Sequence, residues 1–265
     1  AKVEIKTNSP SNALVAGDLG YSKINEIKLD ETIRVKSGID ELDRVLGGGF
    51  VEGSLILLAG DPGIGKSTLV LQAAKNIGDA NHKILYICAE ESPSQVKLRA
   101  ERLGANSESL YVTAQNCLEE VVKQIDELKP DFLVVDSIQS VFSAQITSSS
   151  GTVSQIRECT NLLMRIAKTK TLTTIVIGHV TKEGNIAGPK VLEHMVDCVI
   201  NFEGDKFRTY RMLRSIKNRF GTTSEVGVFS MNDDGLAEIK NPSELFLSER
   251  EEQNCPGCTI IATVE

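Results

Sequence analysis

The stretch "SLILLAGDPGIGKSTLVLQAAKNIG", residues 54 to 78, constrains this chain more than any other. It sets a short apolar run (54–59), a glycine-rich turn and a helical sequence (66–78) in immediate succession. The turn "GDPGIGKS" satisfies G-x-x-x-x-G-K-[ST] at every fixed position. Gly60, Gly63 and Gly65 let the backbone curl so that successive N–H groups converge on phosphate oxygens. The helix that follows adds the partial positive charge of its N-terminus. Lys66 is placed to reach β- and γ-phosphates, and the Ser67 hydroxyl to ligate Mg²⁺. Asp61, Ile64 and Thr68 complete the expected nucleotide-binding set with Gly63, Gly65, Lys66 and Ser67.

Strand and helix patterns alternate on either side of this unit. Residues 1–20 are polar and read as a linker or arm, and "YSKINEIKLDETIRV" as an irregular arm. "SGIDELDRVLGGGF" is a short helix with Ile39, Leu42, Val45 and Leu46 on one face, stopped by Gly47, Gly48 and Gly49. "KILYICA" (83–89), "SLYVTA", "DFLVVDS" (131–137) and "TTIVIGHV" (173–180) read as buried strands. Between them lie the helices "PSQVKLRAERLG" and "NCLEEVVKQIDELK". The second has Asn116 as expected N-cap, Glu119 completing a capping box, and Pro130 closing it. A further helix carries Val153, Ile156, Leu163, Met164 and Ala167 on one face. The pattern then changes to strands and turns: "CVINFEG", "FRTYRMLRSIKN", "EVGVFSM", and the hairpin signal "NDDG" before "LAEI". The expected fold is α/β, a mostly parallel twisted sheet flanked by helices and extended by C-terminal antiparallel hairpins.

Bulk composition narrows the chemistry. The net charge of −7 excludes a general polycation, so any nucleic-acid contact must come from a local basic patch. Of the six cysteines only Cys255 and Cys258 form a CxxC pair, two ligands where structural zinc needs four. The N-terminal stretch has no apolar core of signal-peptide length and no run is long enough to cross a bilayer, so a cytoplasmic, reducing compartment is the default expectation.

Three further groups point at the phosphate loop. Asp136 ends the apolar strand "FLVVD", the natural place for a carboxylate that meets Mg²⁺. Glu90 and Glu91 follow "KILYICA", a strand expected beside the phosphate-loop strand, from which a carboxylate can orient or deprotonate the attacking water. Glu90 is favoured, with Glu91 its rival. "SIKNRFGTT" (215–223) is the third: from Lys206 to Arg219 the chain carries six basic residues and no acidic one. Lys217 and Arg219 therefore stand as a cation pair for an unidentified anion, or as a basic strand edge that discourages aggregation. His179 ends the strand "TTIVIGHV", placed either to sense a γ-phosphate or to pack in the core.

The phosphate loop, the prelude "SGIDELDRVLGGGF", and "AEES", "VVDSIQSVF", "GHVTKEGNIAGPKVLEHMVD" and "KNRFG" together resemble the bacterial RadA/Sms DNA-repair ATPase family over roughly residues 20–248. The resemblance implies a RecA-like P-loop core that hydrolyses ATP with Mg²⁺. It also implies a homo-hexameric ring like that of DnaB-type helicases, moving on single-stranded DNA and promoting branch migration beside a recombinase partner. It gives Lys217 and Arg219 the role of cations supplied to a neighbouring subunit's γ-phosphate. It places "SAQITSSSGTVSQIRE" (143–158) and "TKEGNIAGPK" (181–190) on the central channel, with Lys182, Lys190 and Arg157 as DNA-phosphate contacts. The family carries an N-terminal zinc finger and a C-terminal domain resembling the Lon protease fold. This sequence departs from both: no CxxC…CxxC precedes the core, and residues 249–265 read as the start of a truncated C-terminal domain. The expected division is therefore an arm (1–20), an ATPase domain (21–248) and that remnant. A different class stays open on the residues alone, a KaiC-like nucleotide-gated assembly module without DNA activity.

Overall fold

The computed structural model describes residues 33–179, 189–204 and 210–240. In chain order its elements begin with β1 (Arg34–Val35), α1 (Asp40–Val45), β2 (Phe50–Val51), β3 (Leu55–Gly60), α2 (Lys66–Asp79) and β4 (Ile84–Cys88). They continue with α3 (Pro93–Arg102), β5 (Leu110–Thr113), α4 (Leu118–Leu128), β6 (Phe132–Asp136), α5 (Val153–Lys170) and β7 (Thr173–His179). The last are α6 (Pro189–Leu192), β8 (Cys198–Gly204), β9 (Tyr210–Asn218), β10 (Val226–Asn232) and β11 (Gly235–Glu238).

Among the described residues, β1 and β2 make a small ribbon and the other strands one sheet in the order β11-β10-β9-β8-β3-β7-β6-β4-β5. The six strands from β8 to β5 run parallel, and β9, β10 and β11 add antiparallel. The expected mostly parallel sheet with antiparallel C-terminal hairpins is what forms. Strand alternation divides the core in two. Ile56 and Leu58 turn to one face, in a cluster with Leu69, Val70 and Ala73 of α2. Leu55, Leu57 and Ala59 turn to the other, in a cluster with Ile156, Cys159 and Leu163 of α5. Every residue of β3, β4 and β6 is buried, as a sheet covered on both faces requires.

Several local expectations are corrected. β4 does not lie beside β3; β7 and β6 stand between them, because two crossovers insert these strands next to the phosphate-loop strand. The N-cap of α4 is Cys117, not Asn116, and no side chain caps it. The cause is a bridge between Cys117 and Phe142, in which Phe142 N–H donates to the Asn116 carbonyl at 2.9 Å and the chain is extended at Cys117. Glu119 closes no capping box. It accepts from Ser143 Oγ at 2.6 Å and Ala144 N–H at 3.1 Å, while Gln155 holds Ser143 N–H and the Ser143 and Ser148 carbonyls. The 143–152 segment is thus tied down at its start rather than free. Val153 leaves the apolar face of α5 and is exposed, while Gln155 and Ile156 in the same first turn are buried. α2 runs through Gly78 to Asp79, and Gly78 serves contact, because a Cβ there would stand 2.4 Å from Ser107 Oγ. The boundaries near 20 and 249 fall outside the described residues.

Candidate active site

The site forms where β3 ends and α2 begins. Two of the loop positions call for glycine, for different reasons. A Cβ on Gly60 would stand 2.3 Å from the Phe202 carbonyl oxygen, whereas one on Gly65 would meet only the movable tip of Met231, at 2.7 Å. Gly65 also has φ 114°, a left-handed conformation open to glycine and costly for other residues. It is the N-cap of α2 and supplies no side-chain cap, so the first-turn N–H groups face the loop concavity. Pro62, Gly63, Lys66, Ser67 and Thr68 line a cleft of about 640 Å³, closed on its far walls by Glu90, Arg99, Arg102, His179 and Met231. Asp61 contributes its carbonyl to Lys66, and Ile64 is buried with its carbonyl accepting from Arg211 Nε at 3.2 Å.

Lys66 is 3% exposed, and its ammonium donates to the carbonyls of Gly60 and Asp61, both at 2.8 Å. Burial pulls its pKa down to about 8, against the opposing pull of Asp136, Asp61 and Glu90. A buried ammonium with three carboxylates nearby and only carbonyls as partners is poised for phosphate oxygens.

The carboxylates sort by what holds them. Glu90 accepts from Ser137 Oγ in a short contact, from Ser140 Oγ at 3.2 Å, and pairs with His179 Nε2 at 3.2 Å. The His179 hydrogen bond foremost, then those of the two serines, hold its carboxyl at about 2, well below the usual carboxylate range, despite the opposing effect of burial. Glu91 is taken up by the guanidinium of Arg99 in a close ion pair. Of the two expected candidates, Glu90 is therefore the one tied to the strand ends over the phosphate loop. It reaches there although its strand is three places from β3, because Ser137 follows β6 and His179 ends β7, the two intervening strands. His179 Nδ1 is buried and has no partner.

Asp136 is buried at the end of β6, accepting from Tyr86 Oη at 2.5 Å. It shares with Ser67 and Glu90 a recess of about 30 Å³, enough for one small ion or water. Among the described residues no cage of three or more His, Cys, Asp or Glu gathers for a metal. A single hydroxyl and a single carboxylate fit Mg²⁺, which takes few protein ligands and fills its octahedron with phosphates and waters.

Lys217 and Arg219 are not in this cleft. Lys217 lies level with Val199, itself paired with Leu57, and its ammonium donates to the carbonyls of Glu193 and Val196 at 2.7 and 2.8 Å. Arg219 N–H donates to the Asp197 carbonyl, and Asp197 N–H to that of Leu55; the guanidinium meets Asp197 Oδ1 at 3.0 Å. That puts Arg219 level with Leu55, five residues and about 16 Å along the strand from Gly60. Its loop is fastened to the glycine run: Asn218 Nδ2 donates to the Leu46 carbonyl, Arg34 Nη2 to that of Phe220. Arg157 is exposed on α5, Lys190 lies on α6, and Lys182 falls outside the described residues. The sequence reading missed Tyr86, Ser137, Ser140 and Asp197. The available signals were a phenol inside an aliphatic strand, serines just after the strand-end aspartate, and an aspartate opening the run "DCVINF".

A parallel α/β sheet with a strand–phosphate loop–helix unit and two acidic strand ends over it defines a P-loop nucleoside triphosphatase. The family model for the AAA domain matches residues 23–185, and the chain belongs to that ATPase family. It is 52% identical over 98% of its length to the DNA repair protein RadA of Listeria monocytogenes, and 53% identical over 92% to that of Bacillus subtilis. It covers 55% and 53% of these relatives, so it spans about half the length of the curated proteins it matches. The RadA-family resemblance carried by the motifs is borne out. Among solved structures, a KaiC-like protein from Pyrococcus horikoshii matches with TM-score 0.67 and 23% identity, over 79% of this chain and all of the other. That likeness shows the shared fold. No helix among the described residues is long and apolar enough to cross a membrane.

Proposed function

We propose that this chain is the ATP-hydrolysing part of a ring motor that acts on single-stranded DNA in repair, and that in the full-length protein it drives branch migration. The observation that carries the reading is the opposite placement of the phosphate loop and the cation pair. Along the strands, Lys217 lies about 10 Å and Arg219 about 16 Å from the loop of their own chain. They can serve a γ-phosphate only in a second copy, which is the arrangement of a closed head-to-tail ring. A hexamer is the proposed closure.

In the reaction, water attacks the γ-phosphorus, the bond to the β-bridging oxygen breaks, and ADP leaves. Lys66 and the first-turn N–H groups of α2 hold the phosphate oxygens. Glu90 orients the water and receives its proton; phosphoryl transfer asks chiefly for positioning and charge stabilisation, which suits a carboxylate held at low pKa. Ser67 and Asp136 would hold Mg²⁺, which when bound neutralises charge on the phosphates. Lys217 and Arg219 of the next copy stabilise the charge of the transition state, a contribution on the order of 10³–10⁵ in rate.

DNA enters through the loops that leave the same sheet edge. β6 and β7 end at Asp136 and His179, ahead of segments 143–158 and 181–190 in the chain. The Glu90–His179 contact therefore links the site of hydrolysis to the second segment. Arg157, Lys182 and Lys190 are the proposed phosphate contacts, and no aromatic platform in either segment serves base reading. The test is steady-state ATP hydrolysis titrated with single-stranded DNA at low and moderate salt. Salt-sensitive stimulation is expected. A flat response over measurable basal turnover refutes the DNA motor in this chain and favours a nucleotide-gated module.

A further inference from the structure

We propose that Tyr86 is a positioning residue for Asp136, holding one carboxylate oxygen so that the other stays turned to the recess shared with Ser67. The inference rests on the reading of Asp136 as the carboxylate that meets Mg²⁺.

The geometry begins with register. Tyr86 on β4 pairs with Val134 on β6, so its side chain and that of Asp136 leave the same face of adjacent strands two residues apart. Tyr86 is fully buried, and its hydroxyl donates to Asp136 Oδ2 at 2.5 Å. The other residues of β4 are Ile84, Leu85, Ile87 and Cys88, none with an oxygen in its side chain. Phenylalanine would bury the same ring. A hydroxyl taken out of water costs free energy unless it is bonded, so the phenol makes sense here for its partner.

The partner needs holding because a second attractor is near. The Lys66 ammonium feels Asp136 as the strongest of its neighbouring charges. A carboxylate free to rotate would turn toward that ammonium and close the recess by an ion pair. The phenol anchors Oδ2 from the β4 side and opposes that rotation.

The test is Tyr86→Phe in the whole chain, read by binding of a fluorescent ADP analogue while Mg²⁺ is titrated, with a parallel measurement in EDTA. Outer-shell partners of metal ligands typically contribute 10–100-fold to metal affinity. The Mg²⁺ concentration at half-effect should therefore rise about tenfold or more, with binding in EDTA unchanged, since the phosphate loop alone carries it. Asp136→Asn run alongside separates the two readings. If Asp136→Asn raises the Mg²⁺ requirement and Tyr86→Phe does not, the positioning role is overturned and Asp136 stands. If neither raises it, the assignment of Asp136 falls first. Equal loss of binding with and without Mg²⁺ in Tyr86→Phe also overturns the proposal, because it assigns the hydroxyl to the fold. In the double variant the two effects should not add.

Discussion

Raising the pH should disarm the phosphate loop before it disturbs the fold. Lys66 is buried with an ammonium pKa near 8, held down by desolvation. At pH 7 about nine-tenths of the free protein carries this charge, and at pH 9 about one-tenth does, since one unit past the pKa is a tenfold change. If nucleotide binds only the charged form, the dissociation constant should rise about 25-fold between pH 7.5 and 9.5. Sign matters for stability as well. The folded pKa lies below the unfolded value of 10.5, so between about 8 and 10.5 the unfolded chain binds the extra proton. This group alone therefore makes the fold more stable, not less, as pH rises through that window, while affinity falls. The assay is equilibrium binding of a fluorescent ATP analogue at fixed ionic strength across this range, beside thermal melting. Lys66→Arg keeps its charge throughout and should bind with a flat profile. A flat wild-type profile would refute the argument that burial governs Lys66, and a slope shared by Lys66→Arg would assign the titration to another group.

Two further outcomes are expected. Glu90→Gln should lower turnover by about 10²–10⁴ and leave nucleotide affinity nearly intact, whereas Glu91→Gln, which loosens only the contact with Arg99, should retain most activity; reversed rates would exchange the two roles. Mixing Lys217→Ala subunits with Lys66→Ala subunits should restore hydrolysis at sites where an intact phosphate loop meets an intact cation pair, and mixed assemblies that stay inactive would show that Lys217 does not act between copies.

What could be read from residue order alone was whatever depends on near neighbours in the chain. Buried-type apolar runs at 55–59 and 132–135 specify strands, and "GDPGIGKS" specifies a phosphate loop, because curvature, donor direction and the helix start all lie within eight residues. Local reading failed where a distant segment intervened. Asn116 has the chemistry of an N-cap, but the bridge to Phe142 draws it out of place. Glu90 was favoured because its strand was expected beside β3; that strand does not neighbour β3, and the carboxylate is carried over the loop by Ser137, Ser140 and His179.

Residue types and short spacings determined that this chain binds a nucleoside triphosphate on a parallel α/β sheet. The tertiary structure decided which groups cooperate. It tied Glu90 to His179 and Glu91 to Arg99, fastened Asp136 to Tyr86, and set Lys217 and Arg219 away from the phosphate-loop ends of the strands. The physical reason is strand order and register, which pair residues tens of positions apart through crossovers whose sequence does not say where the next strand inserts.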